Sequence, residues 1–299
     1  MTSMKKIVML SPCLMKDNTR SINHKSINKN FDNLKPDAYA IYDQCFEEKD
    51  FDPRFIYIAH ADRRMGWVPA RNGLLEWFYN SDYDYAFWID ANSTISSTAV
   101  NDVLSIFDAL RQDKLPEVDT IFGTLGMWVS QERIQLKQAN DYFENVHLVP
   151  ARNDRSYNWM HGLIIKNYKK YYNQEFYIDS RCDVMQGTAE DVFFSRMIRR
   201  LTKAYVAPTV VCNKPDSSKS CTMDNGKGTY EYPPIVYDVV ESYIKETIDK
   251  HKHRHVAPTA VCKEVIIPRV SEFKDQLKPF KSRAKKKEDN SNITKIDLF

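Results

Sequence analysis

The residues of this chain best suited to chemistry gather in one stretch. Residues 65–75 read MGWVPARNGLL, and the run SDYDYAFWIDANSTIS follows over residues 81–96. The apolar part of that run ends in Asp90-Ala91-Asn92. Two oxygen-bearing side chains, two residues apart, therefore stand on one side of an extended chain at the end of a strand. In an open α/β sheet, ligands bind along that carboxyl edge. Hard oxygen ligands placed there suit Mg2+ or Mn2+ held against a diphosphate. The same residues also read as strand punctuation, with Asp90 closing the strand and Asn92 or Ser93 shaping a turn.

Other chemistries have less support. His251, His253 and His255 would share one face of an extended segment and could hold a transition metal, but a solvated polar run is the better reading. The six cysteines (Cys13, Cys45, Cys182, Cys212, Cys221, Cys262) form no CxxC pair and follow no secretory start, which points to reduced thiols in a cytosol. With eight glycines and neither GxGxxG nor GxxxxGK[ST], the chain lacks the two commonest glycine-built phosphate cradles, which argues against a Rossmann dehydrogenase or a P-loop kinase.

Elements able to position the Asp90 edge are legible in the apolar pattern. Residues 5–10, 55–59, 84–90, 120–125, 159–165 and 205–212 read as strands. Helices are expected over 70–80, over 100–110 through Val103, Leu104 and Phe107, over 191–201 and over 235–249. Strand and helix alternate, which implies an α/β fold with a mostly parallel sheet flanked by helices. At 299 residues, with 42% hydrophobic and 28% charged content, the chain can bury a sizeable core. No apolar run approaches the roughly 18 to 20 residues of a membrane-spanning helix. The near-repeat VAPTVVC (206–212) and VAPTAVC (256–262) has too few copies to build a solenoid.

The ARNxxL helix followed by a WxDxN strand end resembles the GT-A fold glycosyltransferases, carried here by Arg71, Asn72, Leu75, Trp88, Asp90 and Asn92. The resemblance implies a Rossmann-like catalytic domain over 1–215, with a donor half over about 1–130 and an acceptor half over about 131–215. It implies that Asp90 and Asn92 hold Mn2+ or Mg2+ and a nucleotide diphosphate, and that Arg71 and Asn72 lie under a nucleotide-sugar donor of UDP type. Asn92 stands where the family has Asp; its amide oxygen can ligate a hard cation but adds no charge, which puts metal dependence in question. Residues 187–195, GTAEDVFFS, look like the acidic segment that opens a helix in inverting members, where the aspartate takes the acceptor's proton. That makes Asp191 the base and Glu190 its neighbour in the catalytic pair. Thr188-x-x-Asp191 also has the spacing of a capping box, and first-turn acids favour a helix start in any case. By position, Ser11 and Pro12 should form the loop facing the donor base, while Trp159, His161 and Gly162 should line the acceptor side. Cys212 and Asn213 are the available late metal ligands, and neither is persuasive.

Net charge is only +3, yet residues 251–287 carry +8 and leave the remainder at −5. Beyond a helical extension over 216–280, the tail over 281–299 should be flexible, and its Lys281, Arg283, Lys285, Lys286 and Lys287 suit a polyanion. Together with a composition rich in Lys, Tyr and Asn, this resembles T-even-like bacteriophage enzymes that move glucose or arabinose onto hydroxylated cytosine in DNA. That resemblance implies a DNA acceptor and a host-cytoplasmic location, with Tyr157 or Trp159 stacking on a base. The rival readings are a glycosyltransferase for a cell-surface glycan or glycolipid, and a non-catalytic nucleic-acid-binding protein. A solvated tail with no partner also fits.

Overall fold

The computed structural model describes residues 4–14, 17–44, 51–61, 66–125, 144–151, 160–184, 189–213, 234–251 and 262–270. The N-terminal half runs β1 (Ile7–Leu14), α1 (Asp17–Leu34), β2 (Ala38–Gln44), β3 (Ile56–Ala61), α2 (Trp67–Tyr79), β4 (Tyr85–Trp88), β5 (Thr94–Ile95) and α3 (Val100–Arg111). The second half runs β6 (Thr120–Leu125), β7 (Asn145–Pro150), β8 (Leu163–Lys166), α4 (Tyr168–Tyr172), α5 (Ala189–Leu201), β9 (Ala204–Asn213), α6 (Pro234–His251) and β10 (Val265–Pro268). The strands form one sheet in the order β10-β7-β9-β6-β8-β4-β1-β2-β3, with β5 paired to β9. β3, β2, β1 and β4 are mutually parallel; β8 is antiparallel to both β4 and β6, and β9 is again parallel to β6. Along the main path, then, only β8 and β7 run against the other described strands. This is the mostly parallel α/β sheet that the alternating pattern implies.

Side chains alternate across the sheet and so build two cores. Ile7, Met9, Phe87 and Ile89 pack with Val103, Ile106, Phe107 and Leu110 of α3, while Val8, Leu10 and Trp88 pack with Leu74, Leu75 and Phe78 of α2 and Phe194 of α5. Both faces are covered by helices, which is why the central strands read as continuous apolar runs. Gly73 lets α2 lie close on the sheet, because a Cβ there would stand 2.6 Å from the Tyr42 ring. Glycine in a helix interior costs about 1 kcal/mol relative to alanine, and here that cost goes with the close approach.

Several elements depart from the pattern reading. β1 continues to Leu14, so Ser11 and Pro12 lie within the strand and not in a loop after it. β2, β5, β7 and β10 add strands in stretches without an assigned element. Residues 159–165 narrow to the strand Leu163–Lys166. β10 returns the chain to the sheet edge after α6, antiparallel to β7, and Arg269 pairs in the buried interior with Asp102 of α3 at 2.7 and 3.1 Å. No helix among the described residues is long and apolar enough to cross a membrane.

Candidate active site

β1, β2 and β4 are parallel neighbours, so their carboxyl ends open on one edge of the sheet. Asp90 lies two residues past the end of β4. Its backbone is held by the continuation of the sheet: Ile89 N donates to Leu10 O at 3.1 Å, Ala91 N to Pro12 O at 3.4 Å, and Ser93 N closes a turn on Asp90 O at 2.9 Å. Arg71 rises from α2 beneath this edge with only 3% of its side chain exposed. Its Nη2 lies 3.5 Å from Asp90 Oδ1, and its Nη1 lies 3.5 Å from Glu190 Oε1 and donates to Asp191 Oδ1. The Trp67 ring faces the guanidinium at 5.9 Å from its centroid.

Burial opposes the Arg71 charge, but Asp191, Asp90 and Glu190 together outweigh it and raise the guanidinium pKa further. Glu190 goes the other way for a carboxyl. Burial is the main cause, Arg71 opposes it, Asp191 and Asp90 reinforce it, and the result is about 8. Burial thus favours the protonated form of Glu190 beyond that of an ordinary carboxyl, alongside an Asp191 tied directly to the guanidinium. Both acids sit in the first turn of α5, where the helix dipole favours negative charge.

His161 joins the same cluster. Its Nε2 lies 3.2 Å from Asp90 Oδ2 and the side chain is fully buried, which sets it beside the donor-edge carboxylate, whereas its position in the sequence suggests the acceptor side. Gly162 makes this placement possible. Its φ of +69° is a left-handed conformation, and a Cβ would stand 2.8 Å from Cys212 Sγ. Its N–H donates to Trp88 O at 2.9 Å and its carbonyl accepts from Gly123 N at 3.0 Å, locking the turn across the end of β4.

Other residues singled out from the sequence have internal partners. Ser11 Oγ is buried, shares a hydrogen bond with Tyr39 Oη at 2.7 Å and donates to Ile89 O at 2.5 Å. Pro12 is buried in β1. Asn72 pairs in both directions with the backbone of Ile178, at 2.8 Å each way, and so ties the segment before α5 to α2. Asn92 Oδ1 accepts from Ser93 Oγ at 3.3 Å. Cys212 lies buried against the Gly162 turn, and Asn213 ends β9 opposite Thr94. His251 packs its ring against Phe176 at 5.1 Å. Trp159, Tyr157, Thr188, His253, His255 and the basic run Lys281, Arg283, Lys285, Lys286 and Lys287 lie outside the described residues.

The pattern reading missed Asp43. β2 ends in Tyr42-Asp43-Gln44, with Asp43 between Cys13 of β1 and His60 of β3, on the same edge as Asp90 and two strand spacings away, roughly 10 Å. Its side chain is buried, and neither carboxylate oxygen has a hydrogen-bond partner among the described residues. Burial, partly opposed by Arg20, pushes its pKa up to about 7. An apolar run ending in an acid, AYAIYD, is the same signal that marks AFWID, and it was there to be read.

Among the described residues, no group of three or more His, Cys, Asp or Glu side chains could hold a metal by itself. Asp90 and Asn92 supply one carboxylate and one amide oxygen. That donor set fits a Mg2+ or Mn2+ ion whose remaining ligands are water and substrate phosphate, the usual manner of binding for small hard cations.

No protein-family model matches the sequence, and no curated protein matches it. Among solved structures, the chain is similar to residues 1–349 of S. aureus TarS in complex with UDP, with a TM-score of 0.50, 13% identity and coverage of 81% of this chain. It spans 65% of the length of that TarS chain. The mannosyltransferase PcManGT from Pyrobaculum calidifontis, in complex with GDP-Man and Mn2+, has a TM-score of 0.42 and 12% identity, with 87% of this chain and 78% of that one covered. The TarS likeness shows a shared fold.

Proposed function

We propose that this chain is a nucleotide-sugar-dependent glycosyltransferase. The observation that carries this reading is the cluster of Asp90, Glu190 and Asp191 around buried Arg71, at the carboxyl edge of a sheet whose fold resembles that of a UDP-bound protein. The donor nucleotide would lie along the edge from Asp43 to Asp90. A carboxylate at Asp43 can accept the imino N–H of uracil, a group cytosine lacks, which supports a UDP donor over a CMP donor. Asp90 and Asn92 would hold Mn2+ or Mg2+ together with the diphosphate, and the ion would supply positive charge to the leaving group.

Asp191 would take the proton from the acceptor hydroxyl as that oxygen bonds to the anomeric carbon. The bond from this carbon to the diphosphate breaks in the same displacement, and the nucleotide leaves with the electron pair. General-base assistance of this kind contributes about 10² to 10⁴ in rate. Glu190, whose protonated form burial favours, can donate a hydrogen bond to the acceptor.

The acceptor proposed is a hydroxyl on modified cytosine in DNA, taking glucose or arabinose, with a glycan or glycolipid hydroxyl as the alternative. Its support is the basic composition of 251–287 alone, which suits any polyanion. The test is nucleotide release from UDP-, GDP- and CMP-sugars with Mn2+ or Mg2+, each with plain DNA, hydroxymethylcytosine DNA, glycosylated DNA and no DNA. Release from a UDP-sugar that Asp191→Asn abolishes, while UDP affinity stays within a few-fold, is the expected result. Release that depends on modified DNA selects the DNA acceptor, and DNA-independent release selects the glycan. No release from any donor overturns the enzyme reading in favour of a binding module.

A further inference from the structure

Arg71 is the residue on which the acids of the site converge. Its guanidinium is buried and spans carboxylates from two separate elements, Asp90 at the end of β4 and the Glu190-Asp191 pair at the start of α5. It also lies against Met160 Sδ at 3.6 Å. Phosphate recognition needs guanidinium donors turned toward the ligand, whereas here both terminal nitrogens face protein carboxylates. The acids it meets come from two distant parts of the chain, so the group fixes their relative position as well as their charge.

We propose that Arg71 is a positioning residue, a clamp that sets Asp191 relative to Asp90 and thereby holds the proton-accepting carboxylate in register with the diphosphate end of the donor site. This rests on the reading of Asp191 as the base. A planar guanidinium suits the task because its two terminal nitrogens diverge and can serve two carboxylates at once. A lysine ammonium is a single point and reaches only one of them well. The nearby charged groups divide accordingly: Asp191 is held directly, Glu190 is more distant at 3.5 Å, and Asp90 is shared with His161. A misplacement of about 1 Å in a reacting group can cost about 10²-fold in rate.

The decisive variant is Arg71→Lys, which keeps the positive charge and removes the span. Its turnover of the UDP-sugar active in the donor panel should fall about 10²-fold, with UDP affinity by calorimetry within about threefold of wild type. Retained UDP binding also establishes that the variant is folded. A rise of tenfold or more in the UDP Kd with turnover at saturation preserved would make Arg71 a donor ligand and overturn the clamp. Near-wild-type turnover in Arg71→Lys, with Asp191→Asn inactive, overturns the clamp and leaves the base intact. Near-wild-type turnover in Asp191→Asn, or none in the wild type with any donor, overturns both. A urea-denaturation cycle with Arg71→Met and Asp191→Asn adds a readout that needs no substrate: the clamp requires the two effects to be strongly non-additive, and additivity overturns it.

Discussion

Replacing Asp43 with Asn should stabilise the fold at alkaline pH while weakening the donor nucleotide. Asp43 is buried without a hydrogen-bond partner among the described residues, and burial lifts its pKa from 3.8 to about 7 against the opposing pull of Arg20. A carboxyl with a folded pKa above its unfolded value binds its proton more tightly in the folded state. Stability from this group is therefore full below about pH 4 and is lost as pH rises toward about 7. At 1.36 kcal/mol per pH unit, the loss reaches at most about 4 kcal/mol at pH 8, and relaxation of the interior lowers it to about 2 to 4. Asparagine fits the same space with no charge to bury, so Asp43→Asn should gain that amount at pH 8 and almost nothing at pH 4. In a chain of this order the gain corresponds to several degrees in Tm, at about 2 to 4 °C per kcal/mol. Binding should move the opposite way. Loss of a charged acceptor costs about 1.5 to 3 kcal/mol, or about 10- to 100-fold in UDP affinity. Wild-type affinity should strengthen between pH 6 and pH 8 as Asp43 ionises, and the variant's should be flat. Urea denaturation at both ends of the pH range and calorimetric titration with UDP measure all of this. A variant less stable than wild type at pH 8, or one that binds UDP equally well, refutes the assignment of Asp43 to the nucleotide.

Two further predictions concern the frame. Gly162→Ala forces a side chain into a left-handed φ of +69° and a Cβ to within 2.8 Å of Cys212 Sγ, so urea denaturation should show a loss of about 1 to 3 kcal/mol. Adding Cys212→Ala should recover the steric part and leave the backbone part, whereas a neutral Gly162→Ala would mean that the turn relaxes freely. Arg269→Met removes one partner of a buried two-point ion pair with Asp102 and should destabilise by about 3 to 5 kcal/mol. Arg269→Met with Asp102→Leu should return most of that, and a single-variant loss under about 1 kcal/mol would show that β10 is not anchored there.

The sequence was most legible where burial on both faces of the sheet leaves a continuous apolar run. That is why β1, β4, β6 and β9 could be placed from pattern alone, and why Asp90 could be set at a strand end. β2 is equally apolar but short, and it lies within a longer polar stretch to which the pattern assigns no element, so Asp43 goes unnoticed with it. β7 and β10 stand at one end of the sheet and are only partly buried, so neither leaves a long continuous apolar run to read. Ser11 and Pro12 follow the apolar run that ends at Leu10, which places them by position in a loop. Here the β1–β4 ladder does stop at Leu10, but the β1–β2 ladder runs on to Leu14. The identities of Arg71, Asp90, Glu190 and Asp191 were available from the chain; their convergence on one guanidinium was not, because spacing along a chain says nothing about which helix will cover which strand end.

That convergence also separates this site from two other buried ion pairs among the described residues. Arg269 meets Asp102 at two points, and Lys166 meets Asp119 with Pro116 O and Tyr172 Oη among its contacts. Each of these ion pairs joins one cation to one acid, and a fold can keep such a contact for structure alone. Around Arg71 three acids face one guanidinium, and His161 leans on the same Asp90. Buried carboxyls gathered on one group, with pKa values shifted by burial and by one another, concentrate at functional sites. If Asp90 is there to receive a cation with the donor diphosphate, Asp90→Asn should make the fold no less stable in urea while reducing the dependence of UDP affinity on Mn2+. An Asp90→Asn variant that loses stability and keeps the full Mn2+ effect would mean that the acid belongs to the core and that the cation binds elsewhere.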